Sequence, residues 1–516
     1  MLKNKTTVLI IMDGWGMAPE KKKGNAITLK SAPHYFDWLK KYPHTRLEAS
    51  GLAVGLFKGQ EGNSEAGHLN LGAGRVVKQD ALYISDAITD GTFYKNNAFE
   101  QAIHHLKKYN TDAHVMGLLS NHNSAHSCPE HLYALLKFLH EQGVKKVWLH
   151  LFTDGRDSGQ HDALHHLHRL EEHLNGHEQV ATIMGRFYAM DRNKEWSRTE
   201  KAYNAMISGE GCESVSVSEA IAQAYNRGET DEFICPTVIK KDGKPLATIK
   251  DNDVIFFFNL RSDRARQITK VFVQPRFEKE NNGDVFKRKR IPKNIRFVAM
   301  TDFGPDLPGI FTAYPSRDIK DSLTQVLCPR PQLYIAESEK FAHVTYFFNG
   351  GYAEHFCEER RVKIDSVKVR SYAERPKMSA KLVADYVEKA LTKGSYEFIC
   401  VNFANPDMVG HTGDLKAGEE AVAEVDEQVD RLIKVLQKTG GQGIITADHG
   451  NIEEMINLKT GEIDTEHSVN PVPMILLGAE HKKARLKKGK LADVAPTILK
   501  MMGVKKPKEM TGKALF

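Results

Sequence analysis

The chain has 516 residues, 41% hydrophobic and 27% charged, with a formal net charge of +6 and a mean hydropathy of −0.44. This balance excludes a disordered chain and argues against a nucleic-acid binder, whose basic excess would be larger for this length. The length allows about two to four domains.

In chain order, the first apolar run is TVLIIM (7–12), stopped by Asp13 in MDGWG. It is too short for a signal-peptide core and is expected to be a buried strand. No stretch has the apolar length of a membrane span, so no membrane partner is expected. The loop GQEGNSEAGHLNLGAG (59–74) then sets one hydroxyl, Ser64, among glycines. A serine is a weak nucleophile at neutral pH and needs a base or a metal. His68 is a candidate base, but a metal is the stronger one, because coordination lowers an oxygen's pKa without a proton acceptor. The competing role for Ser64 is a helix N-cap, with Asn63 and Glu65 helping. The spacing does not match a hydrolase G-x-S-x-G elbow.

Further strand-like runs follow at 114–119, 146–152, 180–184, 254–259, 296–300, 398–403, 443–447 and 473–478, alternating with helix-like stretches. The expected fold class is therefore α/β, with several strands apolar enough to be covered on both faces. What comes just after these runs carries the chemistry. Asp154, Arg156 and Asp157 follow the run at 146–152, Arg186 the run at 180–184, and Arg261 and Arg264 the run at 254–259. Asp407 follows 398–403, and Asp448 with His449 follows 443–447. Open parallel sheets bind ligands beyond the carboxyl ends of their strands.

The residue types segregate along the chain. Carboxylates and histidines gather at the two ends (Asp13, Asp407, His411, Asp448, His449, His467) and arginines in the middle (Arg156, Arg186, Arg192, Arg261, Arg264). One domain is expected from 1–78 and 311–516, interrupted by a second at 79–310, with GPDLPG (304–309) as the return linker. Mixed imidazole and carboxylate donors suit two manganese or zinc ions better than calcium. Arginine forks interleaved with Asp157 suit a small substrate bearing both phosphate and carboxylate, and Asp157 has a natural role as acid or base on its hydroxyl. The six cysteines show no CxxC spacing and are expected to be reduced thiols in the cytosol. The basic run FKRKRIPK (286–293) and its surroundings are expected to be a surface insertion.

The motifs MDGWG, EGNSEAGH, FTDGRD, GRFYAMDR, FNLRSDRARQ, AESEKFAHVTYFFNGG, NPDMVGHTG, TADHGN and HSVNPVP together resemble the cofactor-independent (2,3-bisphosphoglycerate-independent) phosphoglycerate mutases, in order through nearly the whole chain. The resemblance implies an alkaline phosphatase-like metal domain with two manganese ions and an inserted α/β transferase domain. It implies a glycolytic, cytoplasmic and monomeric enzyme that interconverts 3-phosphoglycerate and 2-phosphoglycerate through phosphorylated Ser64, with no bisphosphoglycerate needed. Carried over by motif, Asp13, Ser64, Asp448 and His449 hold one ion and Asp407, His411 and His467 the other. His126, Arg156, Asp157, Arg186, Arg192, Arg261, Arg264 and Lys340 contact substrate, with Asp157 moving protons. The chain departs from the family's VHSH stretch, having SAHSC (124–128) instead, and His122 is a rival for His126. Ser262 stands where the family often has proline.

Overall fold

The computed structural model describes residues 5–122, 124–281, 285–458 and 460–516. The chain divides into two compact units, Met1–Gln79 with Arg317–Phe516, and Asp80–Ser316. The second unit runs past 310 to Ser316, because the strand Ile310–Tyr314 pairs parallel with Arg296–Thr301 and belongs to its sheet.

The first unit is built on an eight-stranded sheet in the order Glu359–Ile364, Gln332–Glu337, Phe398–Phe403, Thr7–Met12, Gln442–Thr446, Val472–Leu477, His44–Glu48 and Gly489–Lys490. The first five run parallel; Val472–Leu477 is antiparallel to its neighbour. Thr7–Met12 and Phe398–Phe403 are buried at every position, as strands covered on both faces must be. Part of the cover is the helix Leu415–Lys438, begun by Asp414, whose carboxylate accepts the Ala417 N–H at 3.0 Å. Ala417, Ala421, Val425, Val429 and Leu432 form its buried stripe. It packs on the helix Ala380–Lys393.

The second unit holds a sheet in the order Ile310–Tyr314, Arg296–Thr301, Val254–Phe257, Ala113–Leu119, Val147–Thr153, Glu178–Gly185, Thr237–Lys241 and Cys212–Ser214, with Lys244–Pro245 paired to Thr237–Lys241. The first six strands are parallel throughout. Thr237–Lys241 turns antiparallel against Glu178–Gly185.

Two expectations need correction. The cysteines are not six free thiols: Cys212 pairs with Cys235 and Cys328 with Cys357 as disulfides, while Cys128 and Cys400 are free and buried. Each pair is 23 or 29 residues apart and meets only through tertiary packing, so no local spacing reveals it. The basic stretch near 288 is not merely a surface insertion either. Arg288 is buried and donates to the carbonyls of Val271, Gln274 and Pro275. Its guanidinium thereby satisfies carbonyls that the end of the helix Ser262–Val273 leaves open.

Candidate active site

The parallel strands of the first unit deliver their following residues to one edge. Asp13 follows Thr7–Met12, Lys340 follows Gln332–Glu337, Asp407 lies in the short helix after Phe398–Phe403, and Asp448 and His449 follow Gln442–Thr446. Val472–Leu477 is antiparallel, so His467, which precedes it, comes to the same edge. Two glycines let these loops close on each other. A Cβ on Gly14, at φ +73°, would stand 2.8 Å from Asp407 Cα, and one on Gly67 would stand 2.6 Å from the Asp448 carbonyl oxygen.

Ser64 is the first residue of the helix Ser64–Ala73, and Asn63, not Ser64, is its cap: the Asn63 side chain accepts the Ala66 N–H at 2.8 Å. The Ser64 hydroxyl is thus released from capping. Its Oγ lies 3.0 Å from His449 Nε2, 3.3 Å from Asp13 Oδ1, and accepts from Lys340 Nζ at 2.7 Å. Lys340 also lies 2.7 Å from Asp13 Oδ1 and 2.6 Å from Asp407 Oδ2. His411 and His467 approach Asp407 Oδ1 at 3.3 and 3.2 Å, and His449 Nε2 is 3.4 Å from Asp448 Oδ2. The rings are fixed from behind, His411 by the Thr465 carbonyl at 2.7 Å and His467 by the Gly62 carbonyl at 2.8 Å.

The electrostatics of this cluster do not balance. Three buried aspartates (−3) face one ammonium (+1), which leaves −2 before any histidine is protonated. Burial and then the neighbouring Asp448 push the Asp13 carboxyl up to about 6. Burial opposes the charge on Asp407 too, but Lys340 and the two histidine contacts hold it well below the usual carboxylate range. Burial lowers Lys340, yet Asp13, Asp407 and Asp448 outweigh it and keep the ammonium charged. Asp448 Oδ2 is buried without a hydrogen bond: His68 Nδ1, 3.1 Å away, is also 2.9 Å from the Ser64 carbonyl, the one acceptor to which its N–H is directed. An orphaned carboxylate oxygen in an uncompensated acidic cluster fits divalent cations, and the carboxylate–imidazole donor set fits them chemically. Ligand atoms of Asp407, His449 and His467, and of Asp13, His68 and Asp448, lie within 4.8 Å of one another.

Sequence reasoning treated His68 as a base and missed that it belongs to this cluster, where Asn402 lies against its Nε2 at 3.0 Å and donates to Asp13 Oδ2 at 2.6 Å. The signal was available: His68 lies four residues after Ser64 and so shares its helix face. Glu453 was also missed. It accepts the Gly16 and Asn451 N–H groups at 2.9 Å each and ties the two site loops together.

In the second unit the same edge logic gathers the arginines. Arg186 is buried, donates to Asp154 and reaches Asp157 Oδ2 at 3.1 Å. Asp154 also accepts the N–H groups of Arg156 and Asp157, so it sets the turn that carries both. Ser124 Oγ donates to Asp157 at 2.7 Å. Arg192 donates to Asp263 at 2.7 Å, and Arg261 Nε lies 3.5 Å from the same carboxylate. Arg156 pairs with Glu232 at 2.7 Å, and Arg264 donates to the Met190 carbonyl at 3.3 Å. Arg156, Arg186, Arg192 and Arg264 line a cavity of about 250 Å³.

Burial, then Arg186, Arg192 and Arg156, lower the Arg264 pKa, which is the mark of cations crowded without enough anions. Burial raises Asp157, but Arg186 and the Ser124 hydroxyl overcome it and keep it ionised. His126 is buried, and burial followed by Arg186 pushes it down to about 4, so it stands neutral beside the cluster. Its rival His122 is half exposed and pairs instead with Glu130 at 3.2 Å. Lys340 lies with Ser64 and the aspartates of the first unit.

Comparison with known proteins bears on both clusters. Residues 84–305 match the family profile described as "BPG-independent PGAM N-terminus", and residues 309–499 match "Type I phosphodiesterase / nucleotide pyrophosphatase". The chain is 46% identical to the 2,3-bisphosphoglycerate-independent phosphoglycerate mutase of Clostridium acetobutylicum over 516 residues, 99% of each chain. It is also 46% identical to the enzyme of that name from Moorella thermoacetica, over 99% of this chain and 98% of the relative. Among solved structures it is similar to a Leishmania mexicana phosphoglycerate mutase studied at low cobalt concentration, with 29% identity, a TM-score of 0.76, and coverage of 99% and 98% of the two chains.

Proposed function

Since the chain belongs to the 2,3-bisphosphoglycerate-independent phosphoglycerate mutases, we propose that it interconverts 3-phosphoglycerate and 2-phosphoglycerate through a phosphoserine formed on Ser64. The observation that carries this reading is the Ser64 hydroxyl, freed from capping and held at 2.7 to 3.3 Å by Lys340, His449 and Asp13. Asp13, Ser64, Asp448 and His449 would hold one divalent ion, and Asp407, His411 and His467 another, manganese being the proposed metal. Such ions, when bound, lower the pKa of the serine hydroxyl and neutralise phosphoryl charge.

The chain's own residues divide the remaining work. His126, Arg156, Arg186, Arg192, Arg261 and Arg264 would bind the carboxylate and phosphate oxygens of the substrate through paired N–H donors. Lys340 would place a fixed positive charge beside the oxygen that takes the phosphoryl group. Ser64 gives up its proton when the phosphoryl group arrives and regains it when the group leaves. Over the cycle the phosphoryl group moves from glycerate O3 to O2, and one proton must move from O2 to O3. Asp157, ionised beside Arg186, relays these protons: in the first transfer it passes the Ser64 proton to O3, and in the second it takes the O2 proton and returns it to Ser64. Because the serine and the arginines belong to separate units, turnover requires the glycerate to stay bound to the second unit while its phosphate rests on the first. We place the reaction in glycolysis, in a cytoplasmic monomer. No helix among the described residues is long and apolar enough to cross a membrane.

The test is phosphorus NMR of the manganese-loaded protein with 3-phosphoglycerate and no bisphosphoglycerate. A 2-phosphoglycerate signal rising to equilibrium, with a phosphorylated Ser64 peptide trapped by acid quench, supports the proposal. Accumulation of inorganic phosphate alone replaces it with a phosphatase.

A further inference from the structure

A separate donor cluster stands where the second unit enters the helix Pro129–Glu141. Cys128 Sγ donates to Glu130 Oε2 at 3.1 Å, and His122 Nε2 lies 3.2 Å from Glu130 Oε1. One ligand atom from each of the three lies within 4.8 Å of the other two. Cys128 is buried at the N-cap of the helix, whereas the His122 and Glu130 side chains are 49% and 46% exposed. The cluster is therefore anchored on the inside and open to water on the outside.

We propose that His122, Cys128 and Glu130 form a third cation site, for a zinc-class divalent ion, independent of the cluster around Ser64. Thiolate, imidazole and carboxylate together are the mixed donor set that zinc accepts, and three protein ligands leave a fourth position for water on the exposed side. Harder ions such as manganese and magnesium prefer oxygen, so the sulfur separates this site from the Ser64 cluster, whose donors are all nitrogen and oxygen. Uptake is balanced as an exchange: the S–H bond breaks, the sulfur–metal bond forms, and the thiol proton now shared with Glu130 goes to solvent. The Cys128–Glu130 hydrogen bond and the His122–Glu130 contact already bring the three side chains together before an ion arrives.

The site also touches the chemistry described above. Ser124, which donates to Asp157 at 2.7 Å, and His126 lie between the two outer ligands in sequence. An ion on His122 and Cys128 would therefore sit within a few residues of the Ser124–Asp157 hydrogen bond. Zinc-class ions would thus act on turnover from outside the catalytic cluster.

The test uses the full-length, manganese-loaded protein without reductant, so that the paired cysteines stay closed. Cadmium serves as the probe, because its bond to a thiolate absorbs in the ultraviolet. The expected result is a charge-transfer band that saturates at one cadmium per chain and is competed away by zinc. The band should vanish in Cys128→Ser, and cadmium affinity should drop at least about tenfold in His122→Ala and Glu130→Gln. Manganese-dependent turnover of Cys128→Ser, measured before cadmium is added, checks that the variant is folded. The proposal fails if wild type gives no band, if the band persists in Cys128→Ser, or if neither His122→Ala nor Glu130→Gln weakens it.

Discussion

Ser64 and Asn63 are neighbours with separable duties, and substitution should divide them. Asn63 supplies the acceptor for the Ala66 N–H, so Asn63→Ala should lower stability by about 1 kcal/mol. Ser64→Ala removes no cap. It should leave the urea midpoint close to wild type while reducing mutase turnover at least about 1,000-fold, as loss of a nucleophile does. Turnover assays and urea titrations of both variants check this. An active Ser64→Ala would end the phosphoserine reading, and an Ser64→Ala as unstable as Asn63→Ala would mean that the hydroxyl supports the helix after all. Asp154 illustrates a third kind of residue. It accepts from Arg186, the Ser120 hydroxyl and two backbone N–H groups, and so positions the turn that carries Asp157.

Strands and the turns that follow them carried most of what the sequence made legible. Runs apolar on both faces, such as TVLIIM and FICVNF, are strands with the expected bounds, because burial on two sides leaves no room for polar alternation. The strands that escaped notice are largely edge or near-edge ones of mixed composition, HTRLE, ERRVKI and TVIKK, whose outer faces meet water. Gln332–Glu337 also escaped, although it is buried throughout, because its apolar run is only four residues long between Gln332 and Glu337. The site residues were legible where they follow a strand. His68 was legible only as a helix neighbour of Ser64; its contacts with Asn402 and Asp448 join segments distant in sequence and were not legible, and neither were the two cysteine pairs.

The helix Pro129–Glu141 adds a pH dependence that sequence does not show. His131 donates through Nε2 to the Ala81 carbonyl, while its Nδ1 is buried with no partner for a second proton. Burial therefore pushes its pKa from 6.5 down to about 4. Between those values the unfolded chain binds more protons than the folded one. Stability is then complete above about 6.5 and falls as pH drops toward 4, by roughly 3 kcal/mol in all. His150, buried between His114 and Thr182, shifts in the same direction. Urea unfolding of the second unit, followed by hydrogen exchange in Ala113–Leu119 from pH 7 to pH 4, should show this slope. His131→Gln should flatten it, and an unchanged slope would assign the effect to other groups.

In the molecule as a whole, the aspartates and histidines around Ser64 belong to one unit and the clustered arginines to the other, and the proposed reaction needs both. Removing metal should therefore abolish activity without disturbing the arginine cluster: EDTA inactivates, manganese restores, and full activity in chelator would refute the metal reading. Activity should also fall as pH drops through the histidine range, because His411, whose pKa Asp407 raises against the effect of burial, must lose its proton to bind an ion. The converse experiment weakens the other unit. Arg264 is crowded by Arg186, Arg192 and Arg156, so an anionic ligand relieves repulsion as well as gaining hydrogen bonds. Arg264→Ala should leave manganese uptake by the Ser64 cluster unchanged while raising KM for 3-phosphoglycerate roughly 10- to 100-fold, the loss of one charge-assisted contact. It should also change the product. A glycerate held less firmly departs before the phosphoserine can return its phosphate, and water takes its place as acceptor, so inorganic phosphate should rise relative to 2-phosphoglycerate. Phosphorus NMR reads both products from one sample. A higher KM with an unchanged product ratio would mean that Arg264 helps capture substrate but does not retain the glycerate between the two transfers.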